Sequence, residues 1–249
     1  MQIAAVLPGL TRIDLGRVNV YLVEAGDGVV LVDTGFPGEL PAVLDALRSV
    51  GRDPGELLRI VVTHAHPDHV GSASEISART GAPVEMHPAE ADLVRRGETK
   101  RTLRPFPGLG RTAPARMMRP FPIDPLDARA SLHDGELVPG TDDLLVVAAP
   151  GHAAGQVALL WQRHGGVLLA ADAVLNVGGL GLPLVVEDAE AAVRSVRRLA
   201  ALEFEVAVFG HGRPIMEAAA EALGAFTPSA APRSTSAPRG PCSAGPTRP

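Results

Sequence analysis

The segment Thr63-His64-Ala65-His66-Pro67-Asp68-His69 places three imidazoles and a carboxylate within six positions. Neutral imidazole nitrogens and carboxylate oxygens are ligands suited to zinc, and also to iron or manganese. In an extended chain alternate residues share a face, so His64, His66 and Asp68 can converge on one pocket while Ala65 and Pro67 turn away. His69 stands where the chain leaves for the next helix and can approach that pocket from another side. Imidazoles buried together without a shared cation leave polar groups unpaired, which argues against core filling. The cluster directly follows an apolar strand, which argues against a merely solvated patch.

Three more polar residues stand just past apolar runs. His152 follows Leu144 to Ala148 through Pro150-Gly151, Asp172 ends the run Val167 to Ala170, and His211 sits between Gly210 and Gly212 after Val206 to Phe209. Together they supply a second histidine set and a carboxylate able to bridge two cations. Two cations sharing a water lower its pKa from 15.7 to about 7, which makes a bridging hydroxide available at neutral pH. One metal would polarise a carbonyl or phosphoryl oxygen, and Asp68 or a second metal-bound water would assist proton movement to the leaving group. Of the remaining histidines, His87 reads as a structural or capping residue before Pro88, and His133 and His164 as solvent-facing.

The elements that must position these residues follow from periodicity. Ile3 to Leu7, Thr11 to Leu15, Val18 to Val23 and Val29 to Val32 read as consecutive antiparallel strands separated by Gly and Pro turns. Helical spacing runs from Leu40 to Val50, a buried strand covers Ile60 to Val62, and Ala73 to Thr80 forms a helix closed by Gly81. A strand over Pro83 to Met86 and a helix over Pro88 to Arg96 follow. Periodicity fails from Gly97 to Pro125. This stretch and its approach carry Arg95, Arg96, Lys100, Arg101, Arg104, Arg111, Arg116 and Arg119, and such a long irregular segment reads as a lid or a solvated excursion. Its arginines offer an anion site, and Phe106, Leu109, Met117, Met118 and Phe121 an apolar wall. Strands return at Leu144 to Ala148, Gln156 to Trp161, Val167 to Ala170 and Val206 to Phe209, with helices at Glu187 to Ala201 and Ile215 to Leu223. Strands and helices in two halves predict two sheets packed face to face with helices outside, an α/β four-layer αββα sandwich.

A chain of 249 residues fits one domain, expected over residues 1–226. The Pro-, Ser- and Arg-rich stretch 227–249 lacks large apolar residues and is expected to be disordered. No apolar run approaches the roughly 18 residues a bilayer requires, so no membrane partner is expected. The amino terminus lacks a basic region ahead of an apolar one, and the single cysteine, Cys242, has no internal disulfide partner; both fit the cytoplasm. A net charge of −5 gives no global attraction to nucleic acid, leaving a small molecule as the expected substrate and the oligomeric state open.

The ordered motifs His64-Ala-His66-Pro-Asp68-His69, Pro150-Gly-His152-Ala-Ala-Gly155, Asp172 and Gly210-His211-Gly212 resemble those of the metallo-β-lactamase superfamily, from about Val18 to Pro214. The resemblance implies that fold type, with a first metal at His64, His66 and His152, a second at Asp68, His69 and His211, and Asp172 between them. Val32-Asp33-Thr34-Gly35 resembles the family's strand-end motif, with Asp33 orienting a ligand histidine. Without a cysteine near Asp172, the cysteine-ligand lactamases are excluded. Asp172 is instead similar to the bridging aspartate of the glyoxalase II, lactonase and RNase Z branches. Lys100 and Tyr21 are the only lysine and tyrosine, which weakens the glyoxalase II comparison. The lactonase branch fits better, though it lacks an evident substrate-facing tyrosine here. The expected function is therefore a hydrolase with two divalent ions, zinc foremost, cleaving a small ester, thioester or lactone. Alternatives are a persulfide dioxygenase-like oxidoreductase with one iron, an RNase Z-like phosphodiesterase and a non-catalytic metal-binding module.

Overall fold

A computed structural model describes residues 1–99, 102–107 and 123–226. Most of the basic and apolar residues expected to form a substrate wall, Lys100, Arg101, Leu109, Arg111, Arg116, Met117, Met118, Arg119 and Phe121, lie outside the described residues, as does the stretch 227–249 with Cys242.

The first half opens with strands β1 (Gln2–Leu7), β2 (Leu10–Asp14), β3 (Asn19–Ala25) and β4 (Gly28–Val32), followed by helix α1 (Leu40–Ser49) and strand β5 (Leu57–Val61). A short helix α2 (Pro67–Val70), helix α3 (Ala73–Thr80), strand β6 (Val84–Met86) and helix α4 (Pro88–Arg95) come next, then the two-residue strands β7 (Arg104–Pro105) and β8 (Arg129–Ala130). The second half comprises β9 (Leu144–Ala148), β10 (Val157–Trp161), β11 (Val167–Leu169), the short strands β12 (Leu175–Asn176), β13 (Leu180–Gly181) and β14 (Val185–Val186), helix α5 (Ala189–Ala200), β15 (Val206–Val208) and helix α6 (Ala219–Phe226).

A seven-stranded sheet in the order β1-β2-β3-β4-β5-β6-β8 faces a four-stranded sheet in the order β15-β11-β10-β9. The layering follows from strict alternation. Val20, Leu22, Val29, Leu31 and Ile60 point outward beneath α1 and α3, while Tyr21, Val23, Val30, Val32 and Val61 point inward between the sheets. Leu144, Val146, Leu159, Trp161, Leu169 and Val208 meet them from the second sheet, whose other face carries Val147, Ala158, Leu168 and Ala207 against Val196 and Leu199 of α5. The result is the expected αββα sandwich. Because β4 and β5, and likewise β11 and β15, run parallel, their carboxy-terminal ends lie along one edge of the sandwich.

Two expectations change. The stretch 97–125 is not wholly irregular: β7 pairs with β14, and Phe106 is buried against Val186, Ala192 and Val193 instead of lining a substrate wall. The last helix starts at Ala219 and not at Ile215, because Ile215 forms an antiparallel bridge with Ala207 and Ala218 takes a left-handed conformation at φ 49° that breaks helical continuity.

Candidate metal centre

The chain leaves β5 through the buried Val62 and bends at the buried Thr63 and His64, and His66 is extended, with φ −86° and ψ 149°. Pro67 then fixes φ and opens α2. The extended-face argument therefore does not describe how His64 and His66 are placed, because the chain bends at Thr63 and His64 before the helix begins at Pro67. Asp68 sits in the first turn of a helix, so it turns away from those two side chains instead of sharing their face. The structure instead assembles three overlapping groups: His64, His66 and His152; His64, His69 and Asp172; and Asp68, His69 and His211, each with its ligand atoms within 4.8 Å. All seven residues expected from sequence are thus brought to one place.

Asp172 occupies the middle. Its Oδ2 is 3.1 Å from His211 Nε2 and 3.5 Å from His152 Nε2, and its Oδ1 is 3.5 Å from His69 Nε2. His64 Nε2 and His66 Nδ1 approach to 3.0 Å. Asp68 lies toward the solvent side, 3.5 Å from His211 Nε2 and 3.9 Å from His69 Nε2, and is partly exposed whereas His64 and His69 are wholly buried.

The imidazoles are held from behind. Asp33 ends β4 in a left-handed conformation at φ 61°, and its Oδ1 accepts the Thr63 amide at 2.8 Å while its Oδ2 lies 2.8 Å from His69 Nδ1. The Thr34 amide and hydroxyl both donate to the His69 carbonyl, at 2.8 and 2.7 Å, so the Asp33-Thr34 pair fixes both the ring and the backbone of His69. His152 Nδ1 pairs with the Val185 carbonyl on β14 at 2.8 Å, and His211 Nδ1 with the Arg17 carbonyl at 2.5 Å. Each of these rings thereby directs Nε2 inward.

Other residues in the frame are absent from the sequence-based set. Asn19 Nδ2 donates to the carbonyls of Phe209 and Gly212, at 3.0 and 2.8 Å, and the Tyr21 hydroxyl donates to Phe209 at 2.7 Å, together gripping the loop that carries His211. Burial pushes the Tyr21 phenol up, beyond the counteracting hydrogen bond to Phe209. The available signal was an amide at the start of a strand that is apolar from Val20 to Val23. Glu90 of α4 is likewise buried, and its signal was an acid on the helix face shared by Leu93 and Val94. His87 caps α4 by accepting the Ala89 amide at 3.2 Å, whereas His133 and His164 are exposed.

Electrostatics divide the histidines. Burial pulls His64, His69, His152 and His211 down, and it prevails at His64, aided by the like-charged His69 and His66, and at His152. At His69 the carboxylates of Asp33, Asp172 and Asp68 outweigh burial and hold the imidazole well above its usual value. At His211 Asp172 does the same, and the group is pushed up to about 9. Asp172 is held well below the usual carboxylate range by His211 and His69 despite burial. The donor set fits divalent cations: His69 Nε2, His152 Nε2 and Asp172 Oδ1 are buried and make no hydrogen bond, and they converge where a cation would satisfy them.

Comparisons with known proteins agree with this geometry. Residues 13–211 match the profile of the Metallo-beta-lactamase superfamily. The probable metallo-hydrolase YflN of Bacillus subtilis (strain 168) is 30% identical over 83% of this chain and 85% of its own. The N-acyl homoserine lactonase AiiA of Bacillus thuringiensis subsp. kurstaki is 27% identical over 77% of this chain and 79% of its own. Among solved structures, the metallo-beta-lactamase SMB-1 superposes with a TM-score of 0.68 at 20% identity, covering 91% of this chain and 93% of that one. No helix among the described residues is long and apolar enough to cross a membrane.

Proposed function

Because the chain belongs to the metallo-β-lactamase superfamily, we propose that it is a metal-dependent hydrolase of small esters, thioesters or lactones, with two divalent ions, zinc foremost, held by His64, His66 and His152 and by Asp68, His69 and His211, with Asp172 shared between them. The observation that carries the proposal is that Asp172 stands between the buried Nε2 atoms of His69 and His152, its Oδ1 3.5 Å from the first and its Oδ2 3.5 Å from the second, with no hydrogen bond made by either nitrogen or by Oδ1. The similarity to N-acyl homoserine lactonases favours a carbonyl ester bond in a ring over other bonds. We place the reaction in the cytoplasm, on a small-molecule substrate and without a nucleic-acid or membrane partner.

When bound, two such cations supply a Lewis acid for the scissile carbonyl and a water acidified to a pKa of about 7. The rest is the work of the chain. Asp33, Val185 and Arg17 fix the tautomers of His69, His152 and His211, so that each presents a lone pair inward with no reorganisation during the reaction. Asp68, the more exposed of the two site carboxylates, is the group that carries a proton to the leaving oxygen or sulfur.

Metal quantification of freshly purified protein followed by a panel of lactone, thioester, ester, phosphodiester and persulfide substrates tests the proposal. The expected result is about two equivalents of zinc and lactone or ester hydrolysis that disappears in folded His64→Ala and Asp172→Ala. Hydrolysis surviving in both variants with full metal content would overturn it. A single iron with persulfide-dependent oxygen uptake, or turnover confined to phosphodiesters, would replace it with another chemistry of the same fold.

A further inference from the structure

The two loops that carry the first histidine set come from different sheets. His64 and His66 follow β5 of the seven-stranded sheet, and His152 follows β9 of the four-stranded one. Three histidines from two sheets can share a cation only if the separation of those loops is fixed to a fraction of an ångström. One backbone bond joins them, Val157 N to Thr63 O at 3.1 Å. The second link is a side chain. Glu90, 1% exposed on α4, accepts the amide of Ala65 at 3.0 Å through Oε2 and the amide of Gly155 at 2.8 Å through Oε1. Ala65 lies between His64 and His66, and Gly155 lies three residues past His152.

We infer that Glu90 is a positioning residue for the His64, His66 and His152 half of the centre, its carboxylate setting the distance between the two loops. The inference rests on the metal-centre reading above. The chemistry requires a carboxylate. Two amide donors from two loops need two acceptor oxygens on one rigid plane, and a glutamine offers one oxygen while turning its NH2 toward the other donor. The approach also requires Gly155. A side chain there would come within 2.6 Å of His87 Nδ1 and 3.0 Å of Glu90 Oε1, so a methyl group forces the clamp apart. Glu90 acts through the backbone of Ala65 and Gly155, beside the ligands.

The test is zinc titration of the metal-free full chain against a chromophoric chelator, for wild type, Glu90→Gln, Gly155→Ala and His152→Ala, with urea unfolding of each metal-free protein. The binding step lost in His152→Ala identifies the half-site. Glu90→Gln is expected to weaken that step about 10- to 100-fold and leave the other step unchanged. Gly155→Ala is expected to weaken the same step, and decides the matter if Glu90→Gln does not fold. Wild-type affinity in both steps would overturn the inference, as would equal weakening of both. Lower urea stability with unchanged zinc affinity would also overturn it, because a residue supporting only the fold acts equally on the metal-free and metal-bound forms. If the wild-type chain takes up no zinc at all, the metal centre itself is refuted and the inference falls with it.

Discussion

Gly210 offers a sharp probe of how the shared carboxylate is held. A Cβ built on Gly210 lands well inside contact distance of Asp172 Oδ1 and 2.9 Å from His69 Cε1. The backbone cannot retreat, because the Gly210 amide donates to the Ala171 carbonyl at 3.0 Å and its own carbonyl accepts the Asn19 amide at 2.7 Å. Phe209, immediately before it, is held by Tyr21 and Asn19. The side that yields in Gly210→Ala is therefore the Asp172 carboxylate, which must move about 1 Å to regain an ordinary carbon–oxygen contact. A misplacement of about that size lowers kcat/KM roughly 100-fold, equivalent to about 2.7 kcal/mol. Gly210 lies outside the left-handed region, so an alanine is conformationally admissible and global stability should change by less than about 1 kcal/mol. Gly55, where a Cβ meets nothing within 4 Å, gives the control Gly55→Ala, expected to match wild type. The assay is kcat/KM on the substrate wild type turns over, alongside zinc content and urea midpoints. Gly210→Ala with full zinc content and kcat/KM within about threefold of wild type would show that Asp172 does not need the position seen here, and the reasoning would fail.

Three further outcomes follow from the same contacts. Asp33→Asn keeps a residue that tolerates the left-handed conformation at φ 61° but loses one of two acceptor oxygens facing Thr63 and His69; calorimetry should find zinc affinity reduced about 10- to 100-fold, and unchanged affinity would remove Asp33 from the frame. Chelation of the loaded protein should lower Tm by about 5–11 °C, from about 2.7 kcal/mol of binding stabilisation at a hundredfold excess over Kd and about 2–4 °C per kcal/mol; a calorimetric Tm indifferent to chelator argues against occupancy. At the surface, burial opposes ionisation of Asp134, but Arg198 and the Ala148 amide together outweigh it and hold its carboxyl below the usual value of 3.8. A depressed folded pKa contributes stability above about pH 4 that is lost on acidification. Unfolding free energies of wild type and Asp134→Asn from urea titration should therefore differ by less than about 1 kcal/mol at pH 7 and converge toward pH 3, the small size reflecting the exposure of both partners. A gap that persists at acid pH would rule out the charge as its source.

How much was legible in the sequence depended on whether the information sits in residue type or in backbone position. Strands β1 to β4 could be read from short apolar runs separated by Gly and Pro turns, but which face of β3 and β4 turns inward could not, because Val20-Tyr21-Leu22-Val23 and Val29 to Val32 are apolar on both faces and both faces are buried. All seven candidate ligands could be named from type and strand-end placement. The partition of the local cluster could not be had from an extended-chain argument, since it assumed β geometry through Asp68 whereas Pro67 starts a helix one residue earlier. The short pairing of β7 with β14 escaped notice for a related reason. Two residues, one of them Pro105, carry no periodicity, and their order comes from Phe106 packing on α5.

The least legible part of the centre is the part that aims it. His69 is oriented by a carboxylate that the strand-end motif pointed to, but His152 and His211 are oriented by the carbonyls of Val185 and Arg17, and a carbonyl is the same for every residue type. Replacing the Val185 or Arg17 side chain leaves that acceptor in place, so side-chain scanning would score both positions as neutral and miss their role. What does perturb such acceptors is a change in the path of the chain. Loosening β14 by removing Phe106, or β3 by removing Asn19, should therefore cost metal affinity at distances where no ligand is touched. In Phe106→Ala the weakened zinc step should be the one that His152 serves, whereas in Asn19→Ala it should be the one that His211 serves. Zinc titrations of the two variants that weakened the same step would contradict the separate anchoring of these two histidines.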